Sequence, residues 1–281
     1  MNNSLSEALE IAVQTDPGMV RDHNEDSVFS DPDYGLAVLA DGMGGYNAGE
    51  VASRIATTLL PEELKKAFSD RRDLGMEKTE ERTYAYRCLQ EKIQLTNKAI
   101  FDAATSENGY AGMGTTLVAA HFYDNRLTVA HIGDSRLYRL RGDEFKTLTR
   151  DHSLLQEQID CGLLTEEEAR FSQHKNLVTR ALGVDSEVEV EISEHPVYPN
   201  DIYLLCSDGL NDMLPHEDIQ TTLQSLNGDM SLAAAQLVQM ANDNGGRDNV
   251  SVILVRVLRE YPATRGWWSH IEGLFKQDGR R

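Results

Sequence analysis

Four aspartates stand where an apolar run meets a turn. Leu36–Ala40 runs into Asp41-Gly42, Leu127–Ile132 into Gly133-Asp134-Ser135, and Ile202–Cys206 into Ser207-Asp208-Gly209, while Arg247-Asp248-Asn249 comes just before Val250–Val257. A further polar cluster, Arg21-Asp22-His23-Asn24-Glu25-Asp26, lies near the N-terminus. An apolar strand fixes the position of the residue at its end, and a following Gly permits a sharp turn that can bare a backbone carbonyl. Gathered at one sheet edge, such carboxylates repel: two unit charges about 4 Å apart cost about 4 kcal/mol at an effective dielectric of 20. They must share protons or bind cations. Oxygen ligands without His or Cys select hard ions, Mg²⁺ or Mn²⁺ ahead of Ca²⁺ in a water-rich site. Taken singly, each Asp-Gly reads as a turn. The set of them, each beside an apolar strand and together with Arg21, favours a metal site.

The elements that must position these residues are short. Strands are expected at Ile11–Val13, Leu36–Ala40, Thr116–His121, Leu127–Ile132, Arg136–Leu140, Val188–Ile192, Ile202–Cys206 and Val250–Val257, most of them bounded by Gly, Asp or Asn. Helical spacing runs from Gly49 to Phe68 and from about Glu80 to Ala104, with a charge-dense link between, Asp70 to Arg82, read as a solvated loop or frayed helix ends. Later helices are expected at Pro215–Leu226 and Ser231–Asn242. A helix pair separated by strands is not a βαβα alternation; it predicts an α+β fold with helices covering mainly antiparallel sheets. Residues 150–185 have few strand signals and read as an insertion, with a capping box at Thr165-Glu166-Glu167-Glu168.

Composition limits the choices. The chain has 281 residues, enough for one large domain or two modest ones, and a net charge of −19 that argues against nucleic-acid binding. Cys88, Cys161 and Cys206 are odd in number and far apart, which excludes a disulfide framework or thiolate zinc site and predicts a reducing, cytoplasmic setting. No signal peptide and no apolar run long enough to span a membrane is readable.

At this point the sequence resembles a known family. Arg21-x-x-Asn24-Glu25-Asp26, Asp41-Gly42-Met43-Gly44-Gly45, Gly112-Met113-Gly114-Thr115-Thr116, Ile132-Gly133-Asp134-Ser135-Arg136, Ser207-Asp208-Gly209-Leu210 and Arg247-Asp248-Asn249 resemble the ordered motifs of the metal-dependent (PPM, type 2C) serine/threonine protein phosphatases, the bacterial branch above all. Asp151-His152-Ser153 and Thr179-Arg180-Ala181-Leu182-Gly183 add to the likeness, which runs from about residue 10 to 257. It implies two packed antiparallel sheets flanked by helices in α/β/β/α layers. It also implies a catalytic domain over 1–258, a flap at about 150–185 that touches substrate, and a tail at 259–281.

The resemblance also implies roles. Asp41 would bridge two Mn²⁺ or Mg²⁺ ions, with the Gly42 carbonyl and Glu25 completing one shell, partly through water. Asp208 and Asp248 would hold the other ion, and Asp134, shared with Asp208, a third and weaker one. Arg21 would grip the substrate phosphate with its planar fork. Asp26 and Asn249 would support the ligands from behind. Two such ions lower the pKa of a shared water, so hydroxide can attack phosphorus in line. No Cys-x5-Arg loop offers a thiol nucleophile. Many eukaryotic members carry His where this chain has Met43, a thioether with no proton to give. The general acid is therefore unassigned, and a water at Asp134 is the expectation.

Competing readings are a phosphatase of small phosphate esters and a non-catalytic metal-binding regulator. Phosphoprotein substrates and an opposing Ser/Thr kinase are the expected partners. His131 and His152 read as structural histidines, Cys206 as core, and Arg136 as a partner for a site carboxylate. In the tail, local charge +2, Trp267, Trp268, Ile271, Leu274 and Phe275 share one helical face, read as docking on protein.

Overall fold

The computed structural model describes residues 5–45, 48–69, 78–106, 108–110, 112–165, 168 and 177–262. The chain runs through β1 (Leu9–Asp16), β2 (Asp26–Asp31), β3 (Leu36–Met43), α1 (Ala48–Ser69) and α2 (Lys78–Ser106). It continues through β4 (Gly114–Thr115), β5 (Leu117–Tyr123), β6 (Arg126–Ile132), β7 (Arg136–Arg141), β8 (Glu144–Thr147) and α3 (Leu154–Asp160). Then come β9 (Glu191–Pro196), β10 (Ile202–Cys206), α4 (Asp208–Asn211), α5 (His216–Ser225), α6 (Met230–Asp243) and β11 (Val250–Val257). One sheet has the order β1-β11-β10-β7-β8, the other β2-β3-β5-β6-β9 with β4 added on β3, and every pairing is antiparallel.

Alternation along the strands builds three cores. On β3, Ala37 and Leu39 enter the layer between the sheets, with Phe122, Tyr203, Leu205, Ile253 and Val255. Val38 and Ala40 point the other way, against Leu60 and Leu64 of α1 and Ile93 of α2. On the second sheet, Leu254 and Cys206 meet Leu223 of α5 and Leu237 of α6. Each fully buried Leu, Val or Phe contributes about 1.5–3 kcal/mol, so these cores hold the strand ends in place. The result is the α/β/β/α layering expected for an α+β fold.

Several boundaries differ from the sequence reading. Strand β2 is missing from it because Asp26-Ser27-Val28-Phe29-Ser30-Asp31 is bracketed by acids. Strand β8 is a short polar edge whose residues alternate between exposed and half-buried. The expected strand at Val188–Ile192 lies instead at Glu191–Pro196, where it pairs with β6. Helix α3 was not anticipated. The capping box does form: Glu168 Oε2 accepts from the Thr165 amide at 2.8 Å, and Thr165 Oγ1 accepts from the Glu168 amide at 3.2 Å. Most of the charged link and the aromatic face of the tail lie outside the described residues.

Candidate active site

The inner faces of the two sheets carry the apolar core to one end and then turn polar. Side chains alternate with period two, so Asp41 follows Ala37 and Leu39 on the inner face of β3. Ser207 follows Tyr203 and Leu205, and Ser251 precedes Ile253 and Val255, on the same face of the opposite sheet. Asp26 is paired directly with Asp41 across β2 and β3. Asp208 opens the single turn of α4, directly after β10, and Asp248 lies just before β11.

Electrostatics show the convergence. Burial holds the Asp41 carboxyl well above the ordinary 3.8, and the charges of Asp26, Asp208, Asp134 and Asp248 add to it. Burial likewise raises Asp208, with Asp134, Asp212, Asp248 and Asp26 pushing the same way. Asp26 is pushed up to about 6 by burial, while the Ser251 and Ser207 hydroxyls pull it back. Asp134 reaches about 6 for the same first reason, Asp151 adding and Arg136 opposing. Glu25 is raised by burial, with Arg21 and the backbone amides of Glu50 and Gly49 at the start of α1 opposing and Asp248 adding.

Hydrogen bonds fix the cluster. Thr116 Oγ1 accepts from the Asp41 amide at 3.0 Å, and Thr115 Oγ1 donates to the Asp41 carbonyl at 2.8 Å. Ser207 Oγ donates to Asp26 Oδ2 at 2.8 Å. Asn249 is a clamp: its Oδ1 accepts from the Glu25 amide, and its Nδ2 donates to the carbonyls of Pro17 and His23. At the rim, Arg21 Nη2 donates to Asp248 Oδ2 at 2.7 Å, with the Arg21 side chain 51% exposed.

The glycines act differently from the turn reading. Gly42 lies inside β3, and a Cβ there would meet the Gly49 carbonyl oxygen at 2.2 Å and that of Glu25 at 2.6 Å. A Cβ on Gly209 would meet the Asn249 carbonyl oxygen at 2.1 Å. Both positions need glycine for close backbone approach. Gly133 fits the turn reading, with φ +99°.

These residues suit hard divalent ions. The donors are oxygens, the repulsion among them calls for cations, and Asp26 Oδ1 is buried with no hydrogen-bond partner. The cluster is looser than a closed protein cage. Among the described residues, the three metal-ligand side chains with atoms all within 4.8 Å of one another are elsewhere, at His131, His152 and Glu191. A cavity of about 810 Å³ opens beside Asp134 and Asp208, lined also by Arg136, Asp151, Asp212 and Met213.

Comparison with known proteins decides the family. The model of the family described as protein phosphatase 2C matches residues 20–254. The chain belongs to the protein phosphatase 2C family. A Listeria innocua protein named serine/threonine phosphatase stp is 41% identical over 245 residues, 86% of this chain and 93% of that one. The structure of the Mycobacterium tuberculosis serine/threonine phosphatase PstP/Ppp superposes with a TM-score of 0.78 at 36% identity, covering 90% of this chain and 100% of that chain. A structure of the PstP catalytic domain in complex with 2 manganese ions gives a TM-score of 0.76 at 37% identity, over 89% of this chain and 99% of that chain. As a 2C phosphatase the chain is a metal-dependent serine/threonine protein phosphatase.

Sequence reasoning missed several supports of this phosphatase site. Thr116 and Ser207 stand within the motifs, but no local pattern ties the Thr116 hydroxyl to Asp41 or the Ser207 hydroxyl to Asp26. Asn249, read only as a supporting residue, holds three backbone groups. Arg136 makes a forked pair with Asp151, a carboxylate lining the cavity beside Asp134 and Asp208, Nε to Oδ1 at 2.9 Å and Nη2 to Oδ2 at 2.6 Å. Cys206 is core as expected, its thiol pushed up to about 12 by burial. Among the described residues, no helix is long and apolar enough to cross a membrane.

Proposed function

We propose that this phosphatase hydrolyses phosphoserine and phosphothreonine in proteins at a binuclear Mn²⁺ or Mg²⁺ centre. The convergence of Asp26, Asp134, Asp208 and Asp248 on buried Asp41 carries the reading. In it, Asp41, the Gly42 carbonyl, Glu25, Asp208 and Asp248 would hold two ions, and Asp134, with Asp208, a third and weaker one. When bound, the ions would supply a hydroxide nucleophile near neutral pH and offset charge on the phosphoryl oxygens.

The chain's own residues do the rest. Arg21 keeps one nitrogen on Asp248 and has further N–H donors for the phosphate oxygens. Asn249 and the Ser207–Asp26 bond hold Glu25 and Asp26 in their orientations. Met43, at the end of β3 opposite Gly114, has no proton to give the leaving serine or threonine oxygen. That proton is assigned to a water held at Asp134. The finer setting belongs to the same proposal: a cytoplasmic enzyme, opposed by a Ser/Thr kinase, whose tail over 259–281 docks on protein.

Phosphate release from a phosphothreonine peptide, with Mn²⁺ and then with EDTA, tests this directly. Release should depend on Mn²⁺, and kcat/KM for the peptide should exceed that for a small alkyl phosphate. Folded protein without Mn²⁺-dependent release would remove the reading. Equal kcat/KM values would favour small esters as substrates.

A further inference from the structure

His131, His152 and Glu191 have the spacing of a metal cage, with His152 Nε2 3.5 Å and His131 Nε2 3.9 Å from Glu191 Oε2. The protons are in the wrong places for one. The Gly133 amide donates to His152 Nδ1 at 3.1 Å, so the neutral ring carries its proton on Nε2. His131 Nε2 lies 2.8 Å from the Arg150 carbonyl oxygen, which can only accept. The Arg150 amide is also near, at 3.3 Å, but the closer carbonyl demands the proton. His152 therefore turns an N–H group, not a lone pair, toward Glu191, and the His131 Nε2 proton is taken by the Arg150 carbonyl. His152 Nε2 is buried without a hydrogen-bond partner. The ring is committed to Gly133 through Nδ1, and its Nε2 faces only the Glu191 carboxylate, at 3.5 Å.

We infer that His152 is a positioning residue that ties Asp134 to the root of the flap. One residue satisfies both backbone groups of Gly133. The His152 amide donates to the Gly133 carbonyl at 2.9 Å, and the ring accepts from the Gly133 amide. Gly133 has little room to move, because a Cβ there would meet the Thr116 side chain at 2.7 Å. On the far side of Asp134, Ser135 Oγ is 2.7 Å from Thr116 Oγ1, and Arg136 grips Asp151, the neighbour of His152. Asp134 is thus held from both flanks by the segment where the flap leaves the sheets. The flap's returning chain joins at the same point: the Thr179 amide donates to the His152 carbonyl at 2.8 Å, and Ser153 bridges to Val178.

This inference rests on the assignment of Asp134 to the weaker ion, and its test separates the two. The first readout needs no metal: hydrogen exchange of the Gly133 amide, with the ¹⁵N shifts of the His152 ring. Wild type should show an unprotonated Nδ1 and a protected Gly133. His152→Ala should speed Gly133 exchange, weaken the weakest Mn²⁺ in a titration by about tenfold and lower kcat for the phosphothreonine peptide by a similar factor, with KM little changed. His152→Asn should restore protection and most of kcat, because its Oδ1 falls where Nδ1 stands. His152→Gln, whose carbonyl reaches the Nε2 position, should not. Unchanged Gly133 exchange in His152→Ala, or equal behaviour of the Asn and Gln variants, would overturn the positioning role. If Gly133 responds as expected but Asp134→Ala leaves peptide turnover and the weakest Mn²⁺ intact, the latch stands and the role given to Asp134 falls.

Discussion

Arg21 donates from Nη2 to Oδ2 of Asp248 at 2.7 Å, joining residues 227 positions apart at the rim of the carboxylate cluster. The pair links the group proposed to grip phosphate with a proposed metal ligand. Their spacing is set by a loop that Asn249 clamps from behind through the carbonyls of Pro17 and His23. Because Arg21 is half exposed, the pair adds little stability; exposed ion pairs give about 0–1 kcal/mol. Arg21→Ala should lower kcat/KM on a phosphopeptide by about 10²-fold while Tm moves by less than about 2 °C. Arg21→Lys should recover only part of the loss, since an ammonium lacks the planar fork. Steady-state kinetics with a melting curve checks this, and full activity in Arg21→Lys would count against bidentate recognition.

Function and stability should oppose each other at Asp208. Burial and four neighbouring carboxylates raise its pKa, so its charge strains the metal-free fold. Asp208→Asn should abolish Mn²⁺-dependent turnover. In EDTA it should melt higher than wild type, by about 2 °C or more for each kcal/mol of relieved repulsion in a domain of this size. A variant that loses both activity and stability would show the carboxylate to be structural.

The same groups set a pH dependence. At low pH, below the ordinary 3.8, Asp26 and Asp134 are protonated in folded and unfolded chains alike; above about 6 they are ionised in both. Between these values the folded chain binds more protons, so metal-free stability falls as pH rises. Asp41 and Asp208 extend the fall upward. His152 and His195, depressed by burial, work in the opposite direction below 6.5. The clean measurement is therefore the Tm difference between Mn²⁺ and EDTA. It should widen from about pH 5 to about pH 7.5 as ions replace protons. A constant difference would mean that the raised carboxylates do not face the ions.

The net charge of −19 bears on substrate choice. A surface of this sign repels phosphopeptides with acidic flanks at long range. Peptides with basic flanks should show the higher kcat/KM, and the preference should shrink several-fold between about 0.05 and about 0.5 M salt. A preference insensitive to salt would place selection in local contacts, such as the acidic lining of the cavity beside Asp208.

Much of this was legible in the sequence because apolar strands announce their own ends. Leu36–Ala40 and Ile202–Cys206 are continuous apolar runs, Leu127–Ile132 and Val250–Val257 mostly apolar ones, and a residue at the end of such a run has a fixed address. The helices around Leu60, Ile93 and Leu237 were legible from periodicity. What failed to show depends on pairs distant in the chain. Asp26 occupies a strand only because β3 pairs with it; its own neighbours are too polar to say so. Gly42 and Gly209 need glycine because of the Gly49 and Asn249 carbonyls, which no local pattern reveals. His152 reads as a structural histidine, but the residue it supports, Gly133, bonded to it twice, shows only in the fold.

The place of β11 has a consequence for synthesis. Among the described residues it is the last strand made, yet it lies inside its sheet, between β1 and β10, with Leu9 opposite Val257. The chain emerges from the ribosome N-terminus first. Until residues near 257 are free of the ribosome, β1 lacks its neighbour in the sheet and Arg21 lacks Asp248. Nascent chains can pack α1 and α2 on the first sheet, but they cannot assemble the full carboxylate cluster. Catalytic competence thus waits for β11, and a chain truncated before β11 should be inert rather than misregulated.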